Sequence, residues 1–193
     1  MVQNPYQNAL LPAPVGGGYS DPDYWIWCGS VVQGEDGAYH MFASRWPKDL
    51  GCEIVRASSK NPEGPYTFQE VVLGRRGRTF FDGMNVHNPY IRKWNQTYYL
   101  YYMGTTFGGP IPGPGDEVDS SRFTEVWNRK RIGLATAPSV FGPWTRCDEP
   151  LISPRDCSHW DCTATTNPAV AIQPDGTTYM LYKSRSFADG PLK

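Results

Sequence analysis

The stretch VHNPYIRKWNQTYYLYYMGTT, residues 86–106, decides the predicted fold because its pattern occurs three times along the chain. It contains an apolar strand, a polar turn and a second strand that is rich in tyrosine. The stretches WCGSVVQGEDGAYHMFASRW (27–46) and TTNPAVAIQPDGTTYMLYKSR (165–185) follow the same order. In these two repeats the turn contains Asp-Gly, a strong signal for a tight connection between antiparallel strands. Each repeat therefore predicts a β-hairpin.

The first two repeats continue alike into a second pair of strands. IVRASSKNPEGPYTFQEVVL (54–73) and IGLATAPSVFGPWTRCDEPLI (132–152) both contain a strand of small residues, a Gly-Pro-aromatic turn and a further strand. The repeated unit is thus four antiparallel strands, and repetition of such sheets is typical of a β-propeller. A β-sandwich with chance similarity is the alternative, and the matched turns favour the propeller.

These repeats divide the chain into a short arm and an all-β domain. Residues 1–20 are predicted to form an extended arm, and residues 21–193 a partial β-propeller of four-stranded antiparallel blades. Blade one is expected at about 24–74, blade two at about 82–153 and half of blade three at about 161–187. Propellers typically have roughly four to eight blades. We therefore expect the chain to be the N-terminal part of a longer propeller whose missing C-terminal blades close the ring.

Composition narrows the class of partner. The 193 residues carry a net charge of -1, which gives no electrostatic signature of nucleic acid or an anionic membrane surface. No apolar run approaches the roughly 18 residues that a membrane span needs. The first residues lack the features of a signal peptide. A cytoplasmic location is expected if this N-terminus is genuine, and a periplasmic or secreted one otherwise. The 14% aromatic content suits a carbohydrate-binding surface.

The five cysteines do not predict a metal site. No CxxC pair occurs, and the group Cys157-x-His159-x-x-Cys162 has no second cluster that would complete four ligands. We therefore predict no metal and no cofactor. Reduced thiols are expected, and a disulfide between Cys157 and Cys162 is the alternative in an oxidising compartment.

Three aspartates precede the repeated hairpins at matched distances. Asp82 and Asp161 each lie six residues before an Asn-Pro pair, and Asp23 lies six residues before Gly29. Because equivalent positions of a propeller converge around its axis, we expect Asp23, Asp82 and Asp161 to meet in a catalytic site. Paired carboxylates in a polar cleft are what glycoside hydrolysis requires. The alternative is structural, since aspartate before a strand often caps a turn.

Substrate-binding side chains are predicted on the same face of the domain. The second strand of each hairpin returns to the face on which the first strand begins, so its end lies near the aspartates. The link between the second and third strands of blade two, about 107–131, is long enough for a lid or binding loop, with disorder as the alternative. The residues predicted to bind carbohydrate are Trp25, Arg45, Trp46, His87, Asn88, Thr105, Asn167 and Arg185.

The quoted hairpins, together with RIGLATAPSVFGPWTR (131–146), resemble five-bladed β-propeller glycosidases, above all glycoside hydrolase family 43 and its relatives. The resemblance covers roughly residues 24–187. It implies an inverting acid/base glycosidase that acts on plant or algal poly- or oligosaccharides. In that family an aspartate near the start of blade one is the general base, one near the start of blade two tunes pKa values, and a later glutamate is the general acid.

By position, the resemblance places the base at Asp23 or Asp21. The chain departs from the family pattern at Asn88 and Asn167, which stand where blades two and three would carry the aspartate of an Asp-Pro pair. The general acid is implied to lie in the absent part or, within this chain, at Glu125. Because amides replace carboxylates, a non-catalytic carbohydrate-binding propeller is the alternative function.

Overall fold

The structure is a computed structural model that describes residues 12–47, 51–110 and 120–185. Most of the predicted N-terminal arm therefore lies outside the described residues, as do the last residues expected in blade three. The described elements follow one another in the order β1 (Tyr24–Gln33), β2 (Tyr39–Pro47), β3 (Glu53–Ser59), β4 (Thr67–Leu73), β5 (Asn85–Trp94), β6 (Thr97–Thr105), α1 (Ser120–Asn128), β7 (Arg131–Ala137), β8 (Thr145–Arg146), β9 (Ala164–Ile172) and β10 (Thr178–Arg185).

The strands form antiparallel sheets in which neighbours in sequence are neighbours in space. One sheet has the order β1-β2-β3-β4, a second has the order β5-β6-β7-β8, and β9 pairs with β10. These are blade one, blade two and the described half of blade three. The prediction of an all-β partial propeller built from four-stranded blades is confirmed.

The hairpin turns have the backbone conformations that their residues favour. Gly37 and Gly176, each the glycine of an Asp-Gly pair, adopt φ values of 80° and 89°. In blade two Asn95 and Gln96 form the turn, and both have positive φ, at 46° and 63°. Two consecutive residues with positive φ are the requirement of a type I′ turn, whose twist matches that of the strands it joins. The turns thus set the register of each hairpin.

The core lies between the sheets of neighbouring blades. Side chains from β2, β3 and β4 of blade one meet those of β5, β6 and β7 of blade two, and burial of this apolar area is the main stabilising contribution. The buried cluster consists of Phe42, Ile54, Leu73, Val86, Ile91, Tyr98, Leu100, Tyr102, Ala135 and Val140.

A carboxylate also links the first two blades. Glu35, in the turn between β1 and β2, accepts hydrogen bonds from the hydroxyl groups of Tyr98, at 2.6 Å, and Ser139. It also accepts one from the backbone N–H of Val140, at 3.2 Å. Burial acts to raise the pKa of Glu35, but the hydrogen bonds from Ser139 and Tyr98 outweigh it and lower the pKa to about 2. Glu35 therefore links blades one and two as an ionised group.

The first strand of each hairpin has a register break at the same place. The pairing shifts between Trp27 and Ser30 in β1 and between His87 and Tyr90 in β5, and a matching shift occurs between β9 and β10. One residue at each break adopts positive φ: Cys28 at 48°, Asn88 at 52° and Asn167 at 54°. The three breaks therefore define which residues of the three blades correspond to one another.

This register corrects the predicted alignment of blade one. The counterpart of Asn88 is Cys28, because Trp27 matches His87, whereas the sequence comparison placed Gly29 there. Asp82 precedes Asn88 by six positions, and six positions before Cys28 stands Pro22, not Asp23. The expected three-fold set of aspartates is therefore a two-fold set, and Asp23 is one position out of register with the others.

The long link between the second and third strands of blade two contains the helix α1, which was not predicted from the sequence repeats. Phe123, Val126 and Trp127 follow the i, i+3, i+4 spacing of a helix face, but nine residues are too short a segment for that pattern to be distinctive. The helix is held against β6, where the Thr105 hydroxyl donates to the Val126 carbonyl at 3.2 Å. Within the described residues no helix has the length and apolar character needed to cross a membrane.

Candidate functional site

A pocket opens where the first strands begin and the second strands end, on the face predicted to carry the site. We call it the tryptophan pocket. It encloses about 540 Å³, within the range of roughly 300–1,000 Å³ that is usual for small-molecule sites. Elements of all three blades and the helix α1 contribute to it. Its walls consist of Trp25, Trp27, Trp46, His87, Asn88, Trp127, Lys130, Asn167 and Lys183.

Indole rings dominate the walls. Trp25 and Trp27 lie two residues apart on β1, so both side chains emerge on the same face of the strand. Their exposed fractions of 59% and 64% are high for such large apolar groups. Trp46 on β2 pairs in register with Trp25 and packs against the His87 ring, with 5.2 Å between ring centroids. Clustered, exposed aromatic faces mark a binding surface.

Two lysines add positive charge around the fourth indole ring. The Lys130 ammonium lies 3.7 Å from the centroid of the Trp127 ring, and the Lys183 ammonium lies 5.2 Å from it. Both are cation–π distances. Lys130 is only 8% exposed. Burial, reinforced by repulsion from Lys183, lowers the pKa of Lys130 to about 8.

His87 is a neutral, buried wall of the pocket. Burial, together with the charge of Lys130, lowers its pKa to about 3. Its Nδ1 atom lies 3.0 Å from Oδ1 of Asn88. Since that amide oxygen can only accept, the bonded tautomer carries its proton on Nδ1, which leaves Nε2 as a hydrogen-bond acceptor. His87 can therefore accept a hydrogen bond from a ligand hydroxyl.

Asn88 and Asn167 are oriented by the same local device in two blades. The preceding residue donates to each amide oxygen: His87 in blade two, and Thr166 at 2.8 Å in blade three. The positive φ of both asparagines suits their short polar side chains, which tolerate the left-handed region better than most residues. Together with Cys28 they line a second, smaller pocket of about 240 Å³ beside the tryptophan pocket. The equivalent positions of three blades thus converge, as predicted.

Asp82 lies outside the tryptophan pocket in a buried ion-pair cluster. We call this the Asp82 cluster: Asp82, Arg76, Arg146 and Tyr102. The carboxylate accepts from Arg76 at 2.7 Å, from Arg146 at 3.2 Å and from the Tyr102 hydroxyl at 2.8 Å. Gly104 permits this approach, because a β-carbon there would lie 2.2 Å from the Asp82 β-carbon. The aspartate is fully buried and its oxygens are occupied.

Asp161 stands in an equivalent setting in blade three. We call this the Asp161 cluster: Asp161, Arg155 and Tyr182. Arg155 precedes the aspartate by six positions, as Arg76 precedes Asp82, and donates to it at 2.8 Å. The Tyr182 hydroxyl donates at 2.6 Å, and this bond, with that from Arg155, lowers the pKa of Asp161. The repeated aspartates therefore join each blade's entry loop to its second strand.

Asp23 has neither kind of environment. It is exposed at the start of β1, and its backbone N–H donates to the carboxylate of Asp21 at 3.0 Å. The position that carries Tyr102 and Tyr182 in the other blades is Ala43 in blade one. The expected convergence of three carboxylates on one site is thus not found, because two are held in arginine clusters and the third is out of register. None of the three lines the tryptophan pocket.

The eight predicted carbohydrate-binding residues divide into two groups. Five line the tryptophan pocket: Trp25, Trp46, His87, Asn88 and Asn167. Arg45 does not, because it alternates with Trp46 along β2. Instead its guanidinium binds Glu53 at 2.6 Å, between the rings of Tyr24 and Phe68.

Thr105 and Arg185 also lie outside the walls of this pocket. The Thr105 side chain is fully buried and its hydroxyl donates to helix α1. Arg185 is half-buried at the end of β10, where its backbone carbonyl accepts from the Thr163 hydroxyl at 2.8 Å. Both stand at strand ends as expected, but neither side chain lines the tryptophan pocket.

Four wall residues were missed from the sequence. Trp27 had a signal, because it lies two residues after Trp25 and period-two alternation places both on one face. Lys183 stands at the predicted end of a second strand, next to residues that were named. Trp127 and Lys130 had no such signal in the sequence. They lie in the long link of blade two, and the path of that link depends on helix α1.

Comparison with known proteins shows that the chain is similar in sequence and in fold to glycoside hydrolases. No family model matches it. It is 31% identical, over 153 residues, to proteins described as "probable arabinan endo-1,5-alpha-L-arabinosidase A" from Aspergillus flavus and Aspergillus oryzae. That match covers 75% of this chain and 40% of each relative. The chain thus spans about 40% of the length of these curated relatives.

Solved structures with the same fold include two glycoside hydrolases from bacteria. A family 117 glycoside hydrolase from the marine bacterium Zobellia galactanivorans matches 90% of this chain and 51% of its own, with a TM-score of 0.65 and 19% identity. The native arabinanase of Bacillus subtilis matches 81% of this chain and 47% of its own, with a TM-score of 0.53 and 19% identity. The predicted resemblance to family 43-like propeller glycosidases is confirmed.

Proposed function

We propose that this chain belongs to a glycoside hydrolase that acts on arabinan or a related plant or algal glycan. The single observation that carries the proposal is the tryptophan pocket, where indole faces from blade one and from helix α1 surround convergent polar groups. Flat aromatic faces stack on the apolar faces of sugar rings, while His87, Asn88 and Asn167 offer hydrogen bonds to hydroxyl groups. The likeness to arabinanases supports the reaction class.

The proposed chemistry is inverting hydrolysis by two carboxyl groups, one acid and one base, about 6.5–9.5 Å apart. Among the described residues no aspartate or glutamate lines the tryptophan pocket. Of the three predicted acids, Asp23 remains the proposed base, because it is exposed and stands two residues before Trp25. The partner acid is proposed to lie outside the described residues. Glu125 is a weaker candidate, since Arg129 binds its carboxylate at 3.3 Å.

A non-catalytic carbohydrate-binding propeller is the second candidate function. It is favoured by one observation, the absence of a carboxylate at the three convergent positions, which hold Cys28, Asn88 and Asn167. An amide binds hydroxyl groups well but cannot serve as a general base at neutral pH. This candidate explains the pocket without requiring an acid pair.

The test uses the full-length protein and a panel of arabinan, arabino-oligosaccharides, xylo-oligosaccharides and galactan. Released sugars and the anomeric configuration of the first product are measured by NMR. The proposed hydrolase predicts turnover with inversion, and we expect Asp23→Ala to abolish it while Trp27→Ala weakens it. Binding by calorimetry without turnover supports the second candidate instead. Absence of both binding and turnover on every glycan contradicts both candidates.

A further inference from the structure

We propose that the tryptophan pocket recognises an anionic sugar, a glycan unit that carries a carboxylate or a sulfate ester. The inference rests on the proposed function, since it names the substrate class of the same pocket. It is carried by two lysines, Lys130 and Lys183, that share a pocket whose described walls contain no acid.

The two ammonium groups come from different blades and meet at one ring. Lys130 stands between helix α1 and strand β7 of blade two, and Lys183 stands on β10 of blade three. They lie 3.7 Å and 5.2 Å from the centroid of the Trp127 ring. Two like charges gathered around one side chain repel each other, so the arrangement costs free energy unless a negative charge offsets it.

Among the described residues, two other cationic side chains are more than nine-tenths buried, and each has a carboxylate partner. Arg45 pairs with Glu53, and Arg56 pairs with Glu70. In the described part of the chain no ion pair includes Lys130 or Lys183. Lys130 is nevertheless more than nine-tenths buried. An unneutralised buried ammonium is costly to retain for packing alone, which points to a ligand as its counter-charge.

The remaining walls match a sugar ring that carries the anion. Trp25 and Trp27 present exposed indole faces for stacking, and neutral His87 adds no competing charge. A lysine ammonium binds a carboxylate or sulfate as a point charge without a strict approach direction. A neutral glycan, by contrast, would desolvate Lys130 further and return no charge. The pocket therefore selects acidic over neutral sugars partly through this penalty.

The first experiment compares matched ligands. Titration calorimetry of the full-length protein at pH 7 and low salt uses an oligogalacturonate, a sulfated galactan oligosaccharide, a neutral galacto-oligosaccharide and a neutral arabino-oligosaccharide. We expect at least one acidic ligand to bind about tenfold or more tightly than the neutral galacto-oligosaccharide, since hydrogen bonds to ionised partners are the stronger ones. Its affinity should fall as salt is added. Preference for the uronate identifies a carboxylate, and preference for the sulfated sugar a sulfate ester.

The second experiment removes the charges one at a time. Lys130→Met and Lys183→Met remove the charge but keep most of the side-chain volume. The control is Lys60→Met, which removes the same charge at an exposed position in the loop between β3 and β4. We expect each pocket variant to lose about tenfold in affinity for the acidic ligand and little for the neutral one. Lys183 is exposed, so its variant remains informative if Lys130→Met fails to fold.

The inference is overturned if the neutral and acidic ligands bind equally well. It is also overturned if the lysine variants lose affinity for both to the same extent, or if Lys60→Met has the same effect. Hydrolysis of neutral arabinan without any preference for acidic ligands removes the inference and leaves the proposed function. Charge-dependent binding of an acidic glycan without turnover supports the inference and counts against the hydrolase alone.

Discussion

The Asp82 cluster and the tryptophan pocket are both built where a blade begins, and their charges are arranged in opposite ways. In the Asp82 cluster a fully buried carboxylate has three donors within 3.2 Å, two of them cationic. In the tryptophan pocket two ammonium groups lie beside an indole ring, and no acid lines the walls among the described residues. The buried charge of the Asp82 cluster has its partners within the protein, whereas the counter-charge that we propose for the two lysines is a ligand.

The difference separates residues that hold the fold from residues that bind. An acid that recurs at matched places in a repeat protein suggests a catalytic set, but such an acid also recurs where two blades use the same structural joint. Arg76 with Asp82, and Arg155 with Asp161, have the same spacing of six positions and both bind a tyrosine on the second strand. A carboxylate whose hydrogen-bond and ion-pair partners are all supplied by the protein is therefore a weaker candidate for a catalytic role than one without such partners.

The largest expected effect is on stability, at Asp82. Replacement by alanine leaves Arg76 and Arg146 without their buried partner, so Asp82→Ala should lower the free energy of unfolding by about 3–5 kcal/mol. Asp23→Ala, at an exposed position, should change it by less than about 0.5 kcal/mol. Urea denaturation of the full-length protein measures both. If Asp82→Ala unfolds like the wild type yet abolishes hydrolysis, Asp82 belongs to the catalytic site after all.

The next effect is on binding, at Trp127. A tryptophan that anchors a ligand in a binding site typically contributes about 2 kcal/mol or more, so Trp127→Ala, which removes a half-buried ring from the pocket wall, should weaken glycan binding by roughly 30-fold. Phe123→Ala removes an exposed aromatic ring one turn earlier on the same helix, which is not among the pocket walls, and should have little effect. Calorimetry with the tightest ligand of the panel compares them. Equal losses in both variants would mean that helix α1, rather than the indole ring, determines affinity.

A third effect is the pH dependence of anion binding. The pKa of Lys130 is about 8, so its charge is present at pH 7 and lost as the pH rises through 8 toward 9. The groups that face it are Lys183 from β10, His87 from β5 and Trp127 from α1, and His87 is already neutral in this range. Affinity for an acidic glycan should fall by up to about tenfold between pH 7 and 9.

The control for this pH effect is Lys130→Arg, because an arginine keeps its charge throughout the range. This variant should bind the acidic ligand with much less change between pH 7 and 9. The neutral ligand should show no such fall with either protein. A wild-type affinity that stays constant over this range would contradict the role given to Lys130.

The smallest effect is on acid stability, at His87. Its pKa is lowered in the folded protein to about 3, so between pH 6.5 and 3 the unfolded chain binds a proton that the folded one does not. Stability should therefore decrease as the pH falls below about 6.5, by about 1 kcal/mol per pH unit. His87→Gln should reduce this slope, whereas His159→Gln, at a partly exposed position in the loop before β9, should not. Thermal unfolding at pH 7, 6 and 5 gives the slopes.

Much of the fold was predictable because it depends on local patterns. Asp-Gly turns and alternating strands specify hairpins over about 20 residues, and the Gly-Pro-aromatic turns identify the second pair of strands in blades one and two. The face of the site followed from the same topology. Five of the eight predicted binding residues line the pocket, among them Trp25, His87 and Asn88.

The errors came from single-residue register and from contacts between distant segments. In the sequence, counting six residues from each aspartate aligned Gly29 of blade one with Asn88 of blade two. The strand pairing shows that Cys28 is the residue equivalent to Asn88. Arg45 and Trp46 are neighbours in sequence, yet strand alternation directs them to opposite faces, and Glu53 on the next strand binds the arginine. Ion-pair partners on neighbouring strands can be identified only when the strand pairing is known.

The sequence by itself determined the repeat, the hairpins and the class of residue on the pocket face, since turn chemistry and period-two alternation act over a few residues. Only the tertiary structure decided which charges are satisfied. Asp82 meets Arg146 across 64 positions, and Lys130 approaches Lys183 across 53 positions of the chain. Electrostatic interactions depend on distance and burial in space rather than on separation in sequence. For this reason Asp82 and Asp161 are interpreted as structural residues, and Lys130 and Lys183 as the candidate ligand site.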